Sequence, residues 1–203
     1  MQLTSRDVEI MRFINDMGFC IMPQIAARFS MKVTPGYRLI RRLISAGYVR
    51  HRPSFHSQHG AYYLSAQGAK FTDLPAIDKV HLGCYEHQLT LTDVYLRLMQ
   101  QHPDTSWISE RTLKHDKFYE GVGKAGHVSD GILVFPDGKQ VAIEVELSIK
   151  GKNRIERIFK SYVSQFSIRE VWYYCPEGMI LPLKTLAEKI PFIKINSLSE
   201  FLS

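Results

Sequence analysis

Cysteine is scarce in this chain: three in 203 residues, Cys20, Cys84 and Cys175, odd in number and far apart. They make neither a disulfide framework nor the C-x-x-C spacing of a zinc site. A reducing cytoplasm is therefore the expected setting. No apolar run approaches the roughly eighteen residues a membrane helix requires, so no membrane partner is expected. The segment Met1 to Asp7 passes straight into an amphipathic stretch and lacks the apolar core of a signal peptide. Internal repeats and low-complexity segments are also missing. What is present is ordinary for a globular protein, 45% hydrophobic and 23% charged residues, enough for one large domain or two small ones.

The net charge of +6 becomes informative once divided. Residues 1–80 hold eleven Lys/Arg against five Asp/Glu, whereas residues 81–203 hold fifteen of each. The whole positive excess therefore lies in the first part. A localised positive field attracts phosphate backbones. Charge alone leaves a solvated basic face as the alternative.

Helical spacing sharpens the reading. Thr4 or Ser5 can cap a first helix carrying Val8, Met11 and Ile14, with Ile10, Phe13 and Met17 beside them, and Gly18 ends it. Pro23 suits the start of a short second helix that turns Ile25, Ala26 and Phe29 inward. Thr34-Pro35 opens a third helix, and Gly47 closes it as a left-handed cap. That helix has a core face of Leu39, Ile40, Leu43 and Ile44, with Arg38, Arg41 and Arg42 projecting and no acid nearby to neutralise them. Two short β-type segments follow, Tyr48 to Arg52 and Ala61 to Leu64, joined by a polar stretch that carries His56 and His59. Three helices and a hairpin is the winged helix-turn-helix order. In that arrangement the third helix reads the major groove and the wing touches backbone or minor groove. Arg38, Arg41, Arg42, Arg50, Arg52 and His56 are the expected contacts to double-stranded DNA. The same fold used only for protein contacts is the alternative.

A short helix around Ser65 to Phe71 and a linker at Thr72 to Asp78 close this first domain, 1–75. From His81 the pattern changes. A helix spans Tyr85 to Gln101 with His87, Leu91, Val94 and Leu98 on one side. A strand at Ser106 to Arg111 and a loop at Lys114 to Gly126 come next. Strands around Ile132–Phe135 and Gln140–Leu147 flank the turn Pro136-Asp137-Gly138. After a helix from Asn153 to Gln165, burying Ile155, Ile158, Phe159, Tyr162 and Val163, come a strand at Glu170–Tyr174, a helix at Leu183–Lys189 and a strand at Phe192–Ile195. The fold class is thus α/β, α+β overall: a winged helix-turn-helix followed, over 81–203, by the α-β-β-β-α-β order of restriction-endonuclease-like folds. Order alone does not assign a function.

The hairpin carries the chemistry. If Phe135 pairs with Lys139, Asp130 lies opposite Glu144; if Asp137-Gly138 alone is the turn, Asp130 lies opposite Val145. Side chains alternate along a strand, so Glu144, Glu146, Ser148 and Lys150 share one face and Val141, Ile143, Val145 and Leu147 the other. Carboxylates about five ångströms apart repel, and a divalent cation, Mg²⁺ or Mn²⁺, is the economical counter-charge. It would activate a water for phosphodiester cleavage. The alternative is a solvent-facing stripe paired with Lys150, Lys152 or Arg154. His115 and His127 flank the Gly-rich loop and are expected to be solvated loop residues, with contact to DNA or a metal as the alternative. Gly121-Val122-Gly123-Lys124 lacks the full phosphate-loop pattern.

Asp130-Gly131, the run Glu144 to Lys150, Arg154-Ile155 and Tyr162 resemble the replication-relaxation family over about residues 5–175. That family joins a winged helix to a PD-(D/E)xK nuclease-like domain, and its relatives include MobC-type plasmid mobilisation relaxases. His87 and Asp93, and Trp107 with Glu110, stand where the family has polar anchors. The resemblance implies a mobile-element protein that nicks or cleaves a recognised DNA site, in company with other mobilisation or replication proteins and compatible with a homodimer. It makes Asp130 and Glu144 metal ligands, with the Val145 carbonyl as a third. Ser129 replaces the usual proline, without consequence. Glu146 stands in the place of the catalytic lysine; Lys150, four residues on along the same face, reaches back as the cation only if the strand continues that far, and the alternative is that Glu146 binds a second metal. That exchange keeps open a second reading: a DNA-binding accessory or regulatory factor with a degenerate nuclease-like domain.

Overall fold

In the computed structural model, residues 2–53, 59–119, 127–148 and 151–203 are described, apart from the side chains of Phe118 and Tyr119. The chain divides into two compact units, Met1–Leu96 and Arg97–Ser203.

The first unit opens with α1 (Ser5–Asp16), whose Thr4 cap and Asp7 form a reciprocal capping box. Helix α2 (Met22–Arg28) has its proline in the first turn, as expected. Helix α3 (Val33–Ser45) starts a little before Thr34-Pro35 and ends where Gly47, at φ +80°, takes the left-handed conformation. Strands β1 (Val49–Arg52) and β2 (Ala61–Leu64) pair antiparallel, Val49 opposite Leu64. Three helices and a hairpin are the winged helix-turn-helix order. On α3 the core face is Gly36, Ile40 and Leu43, while Leu39 and Ile44 are only half-buried. A short α4 (Ala66–Ala69) follows.

The boundary expected at 75–81 is not where the units divide. Thr72 to Asp78 is no free linker: Asn15 Nδ2 donates to the Leu74 carbonyl at 2.7 Å and Leu74 is buried. Helix α5 (Tyr85–Gln101) has the expected bounds, but its first three turns complete the winged unit. Tyr85 stacks on Phe19 at 5.5 Å and Tyr95 on Phe13 at 5.9 Å. Gln24 Nε2 donates to the Leu89 carbonyl and to Asp93. An amphipathic helix beside an unfinished apolar surface belongs to that surface, whatever the linker composition suggests.

The second unit is a five-stranded sheet in the order β3-β4-β5-β6-β7 (Ser106–Ser109, Gly131–Val134, Gln140–Val145, Ile168–Cys175, Ile193–Ser197), antiparallel from β3 to β5 and parallel from β5 to β7. The parallel links run through α7 (Lys152–Val163) and α8 (Glu177–Ala187), and α9 (Leu198–Leu202) ends the chain. The expected α-β-β-β-α-β succession is present with one addition. Residues Glu110–Tyr119 form helix α6, where a strand end and a loop were expected. Ser109 explains it: its hydroxyl accepts the Thr112 amide at 3.1 Å and caps a new helix. Val163, expected in the core, is 58% exposed at the end of α7. Helices α7 and α8 cover one sheet face through Ile155, Phe159, Tyr162, Met179 and Leu183 against Val171, Tyr173 and Ile193.

At the opposite face Glu170 accepts from Lys139 Nζ and Lys194 Nζ, each at 2.6 Å, and from Trp172 Nε1 at 2.7 Å. Desolvation raises the Glu170 pKa, but these donors outweigh it and hold the carboxyl at about 2. A depressed folded-state pKa contributes stability that is present above the unfolded value and is lost as pH falls toward 2. Glu170→Gln is expected to cost about 1–2 kcal/mol at pH 7, discounted because the side chain is 19% exposed. The deficit should shrink steadily below pH about 4.5 in thermal melts; a deficit independent of pH would mean packing, not charge.

Candidate functional site

From Met17 to Thr72 the chain has eight Lys/Arg and no Asp/Glu. Arg38 and Arg41 are exposed on α3, and among the described residues no carboxylate pairs with either. The Arg41 charge is felt at Tyr62 of the hairpin, lowering a phenol pKa that burial and Tyr37 raise, so helix and wing adjoin. Arg50 is exposed on β1.

Two expected contacts are otherwise engaged. Arg42 is not free of acids: its guanidinium pairs with Asp7, which is fully buried at the start of α1. The partners lie thirty-five residues apart in sequence, so local charge counting missed the pair. Arg52 is half-buried, with Nη1 donating to the Val80 carbonyl at 2.7 Å, and so holds the chain after the hairpin. His56 lies outside the described residues, as do Lys150 and the run 121–124.

The carboxylates sit in the second unit. The β4–β5 register pairs Gly131 with Ile143 and Val134 with Gln140, and Phe135 N–H donates to the Lys139 carbonyl. The Pro136-Asp137-Gly138 turn sets this register, and one step further Asp130 lies opposite Glu144. Gly131 is needed beside it, because a Cβ there would stand 2.0 Å from the Trp107 ring. Asp130 Oδ2 accepts the Val145 amide at 2.8 Å.

Glu144 and Glu146 are each only 4% exposed, so they do not form a solvent-facing stripe. Strand β5 ends at Val145 and is buried on both faces, because α7 covers the face that carries Ala142 and Glu144. Glu144 Oε1 accepts the Tyr162 hydroxyl and lies 2.5 Å from His127 Nε2. His127 is thus no solvated loop residue; its side chain is 22% exposed and held edge-on to Tyr162. Burial, then the Asp130 charge, push the Glu144 carboxyl up to about 7 against the lowering hydrogen bonds of His127 and Tyr162. Tyr173, opposite Glu144 in the parallel pair, is buried, and its hydroxyl has no hydrogen-bond partner among the described residues. Burial and the charges of Glu144, Asp130 and Glu146 raise its pKa. Glu146 donates its amide to the Tyr174 carbonyl at 3.0 Å.

Tyr173 was not singled out in the sequence, and for His127 and Tyr162 it is their bonds to Glu144 that were missed. Tyr162 had a signal: a tyrosine on the buried stripe of α7 needs a polar partner, and Glu144 offers one. Its hydroxyl and His127 occupy one Glu144 oxygen, and the Val145 amide occupies one of Asp130's. Among the described residues no group of three His, Cys, Asp or Glu is arranged to hold an ion. His115 lies on α6 beside Asp116, and Glu110 pairs with Lys114.

A raised folded-state pKa gives stability that is full below the unfolded value and is lost as pH rises through the folded one. Glu144→Gln keeps an oxygen for Tyr162 and His127 and removes that loss. The variant should be about 2 kcal/mol more stable than the parent at pH 8 and indistinguishable near pH 4. Equal melting temperatures at pH 8 would mean the carboxylate is fully compensated by its donors.

Among the described residues no helix is long and apolar enough to cross a membrane. No protein-family model and no curated protein matches the chain. Among solved structures it is similar to a mutant MarR from E. coli complexed with operator DNA, at 16% identity and a TM-score of 0.33, covering 60% of this chain and 76% of that one; a likeness of that size carries no weight for function.

Proposed function

We propose that the chain is a duplex-DNA-binding protein whose α3, braced by α2, enters the major groove while the β1–β2 hairpin meets the backbone. The observation that carries this reading is the acid-free stretch from Met17 to Thr72, which presents Arg38 and Arg41 on the outer face of α3. Phosphate neutralisation releases counterions, so binding of labelled duplex should weaken with a log–log salt slope of about −0.9 per contact. A slope near zero would remove the α3 reading.

The second reading is metal-dependent nicking or cleavage in plasmid mobilisation or replication, as the resemblance to the replication-relaxation family implies. In its favour stands the juxtaposition of Asp130 and Glu144 across the β4–β5 hairpin. Against it stand the hydrogen bonds that already occupy those carboxyls and Glu146 in the lysine position. Incubation of supercoiled plasmid with millimolar Mn²⁺ or Mg²⁺ separates the two. Relaxed product that disappears in Asp130→Asn and Glu144→Gln establishes the nuclease. Intact plasmid, with duplex binding retained, establishes the accessory or regulatory factor.

A further inference from the structure

Helix α7 lays Ile155, Ile158, Phe159 and Tyr162 on the sheet. At 100° per residue the opposite ridge is Asn153, Arg157, Lys160 and Ser164, flanked by Arg154, and all five are exposed. The one acid on this side, Glu156, lies 3.9 Å from Lys152. Arg157 Nε turns to the Asn153 carbonyl at 3.4 Å, and among the described residues no carboxylate pairs with Arg154, Arg157 or Lys160. Phe166, two residues past the Ser164 cap of the helix, is 89% exposed.

A core has no use for a phenylalanine at that exposure, and a merely solvated charged face has no use for a bare ring at its end. Uncompensated cations in a row followed by an exposed aromatic is the combination that binds single-stranded nucleic acid, with phosphates along the cations and a base on the ring. Arg157 and Lys160 are about 4.5 Å apart along the axis, close enough for neighbouring phosphates of an extended strand. Duplex offers no unstacked base to Phe166. We propose that the outer ridge of α7 with Phe166 is a second nucleic-acid contact, selective for single-stranded phosphodiester chains and independent of α3. In a protein that holds duplex through its first unit, such a surface takes a strand already separated from its complement.

The full-length protein is titrated with fluorescein-labelled oligothymidylate in an Arg38→Glu/Arg41→Glu background, which removes the α3 contribution. Arg157→Glu/Lys160→Glu should weaken binding at least tenfold and flatten its salt dependence. Phe166→Ala should weaken it at least about fivefold with the salt slope unchanged, because stacking rather than charge is lost. All three positions are exposed, and unchanged melting temperatures verify that the variants fold. Oligothymidylate bound equally by parent and variants overturns the proposal, as does an effect of the α7 variants confined to anionic phospholipid vesicles. Since the background lacks the α3 arginines, failure here leaves the duplex-binding reading standing, and the converse also holds.

Discussion

Arg38→Glu/Arg41→Glu is expected to reduce duplex binding at low salt by at least a hundredfold while leaving the melting temperature within a degree or two. Both guanidiniums are exposed and hold no structural ion pair among the described residues, so reversal costs little in folding. On the DNA side two attractive phosphate or base contacts become repulsive. A bidentate arginine–guanine contact alone is worth about 1–3 kcal/mol of discrimination, and each lost phosphate contact should reduce the salt slope by about one. Fluorescence anisotropy across a salt series reads both quantities. Near-parental affinity would place the DNA-binding surface elsewhere than on α3.

Arg42 should behave in the opposite way. Its partner Asp7 is fully buried, and the same carboxylate accepts the Thr4 amide at 2.9 Å to cap α1. Removing one member of a buried pair strands the other charge, which typically costs 3–5 kcal/mol. The Arg42 side chain is 43% exposed, so water can partly replace it, and Arg42→Ala should cost about 2 kcal/mol. Arg42→Glu sets a second carboxylate against Asp7 and should cost about 3–5 kcal/mol, enough to unfold a marginal domain. Asp7→Asn keeps the capping geometry but not the charge, so the Arg42→Ala/Asp7→Asn cycle isolates the ion pair. A coupling energy near zero would show that Arg42 is a plain surface residue after all. A triple change of Arg38, Arg41 and Arg42 would confound loss of binding with loss of fold.

The parts of this molecule that were legible in the sequence are those set by neighbours in the chain. Thr4, Pro23 and Gly47 act within a turn of their own position, and the helices they bound are where they point. The Pro136-Asp137-Gly138 turn set the β4–β5 register and hence the meeting of Asp130 with Glu144. What escaped depends on contacts between distant segments. Arg42 looked uncompensated because Asp7 is on another helix. Glu144 was read as a metal ligand, or alternatively as part of a solvent-facing stripe, because alternation distinguishes two faces but does not say that α7 covers the polar one, which also hid the His127 and Tyr162 bonds. Helix α6 was missed for a different reason. Trp107, Ile108 and their polar neighbours alternate as a strand should, and the Ser109 cap was outweighed by that pattern.

The placement of Tyr85 and Tyr95 bears on how the protein is made. The hairpin is complete once Leu64 has been synthesised, but Phe19 and Phe13 stay uncovered until those tyrosines emerge from the ribosome. A nascent chain paused between β2 and α5 therefore presents an open aromatic patch, the kind of surface chaperones bind. A gene truncated in the 75–81 stretch would make that paused state permanent, with α1 and α2 lacking their covering helix.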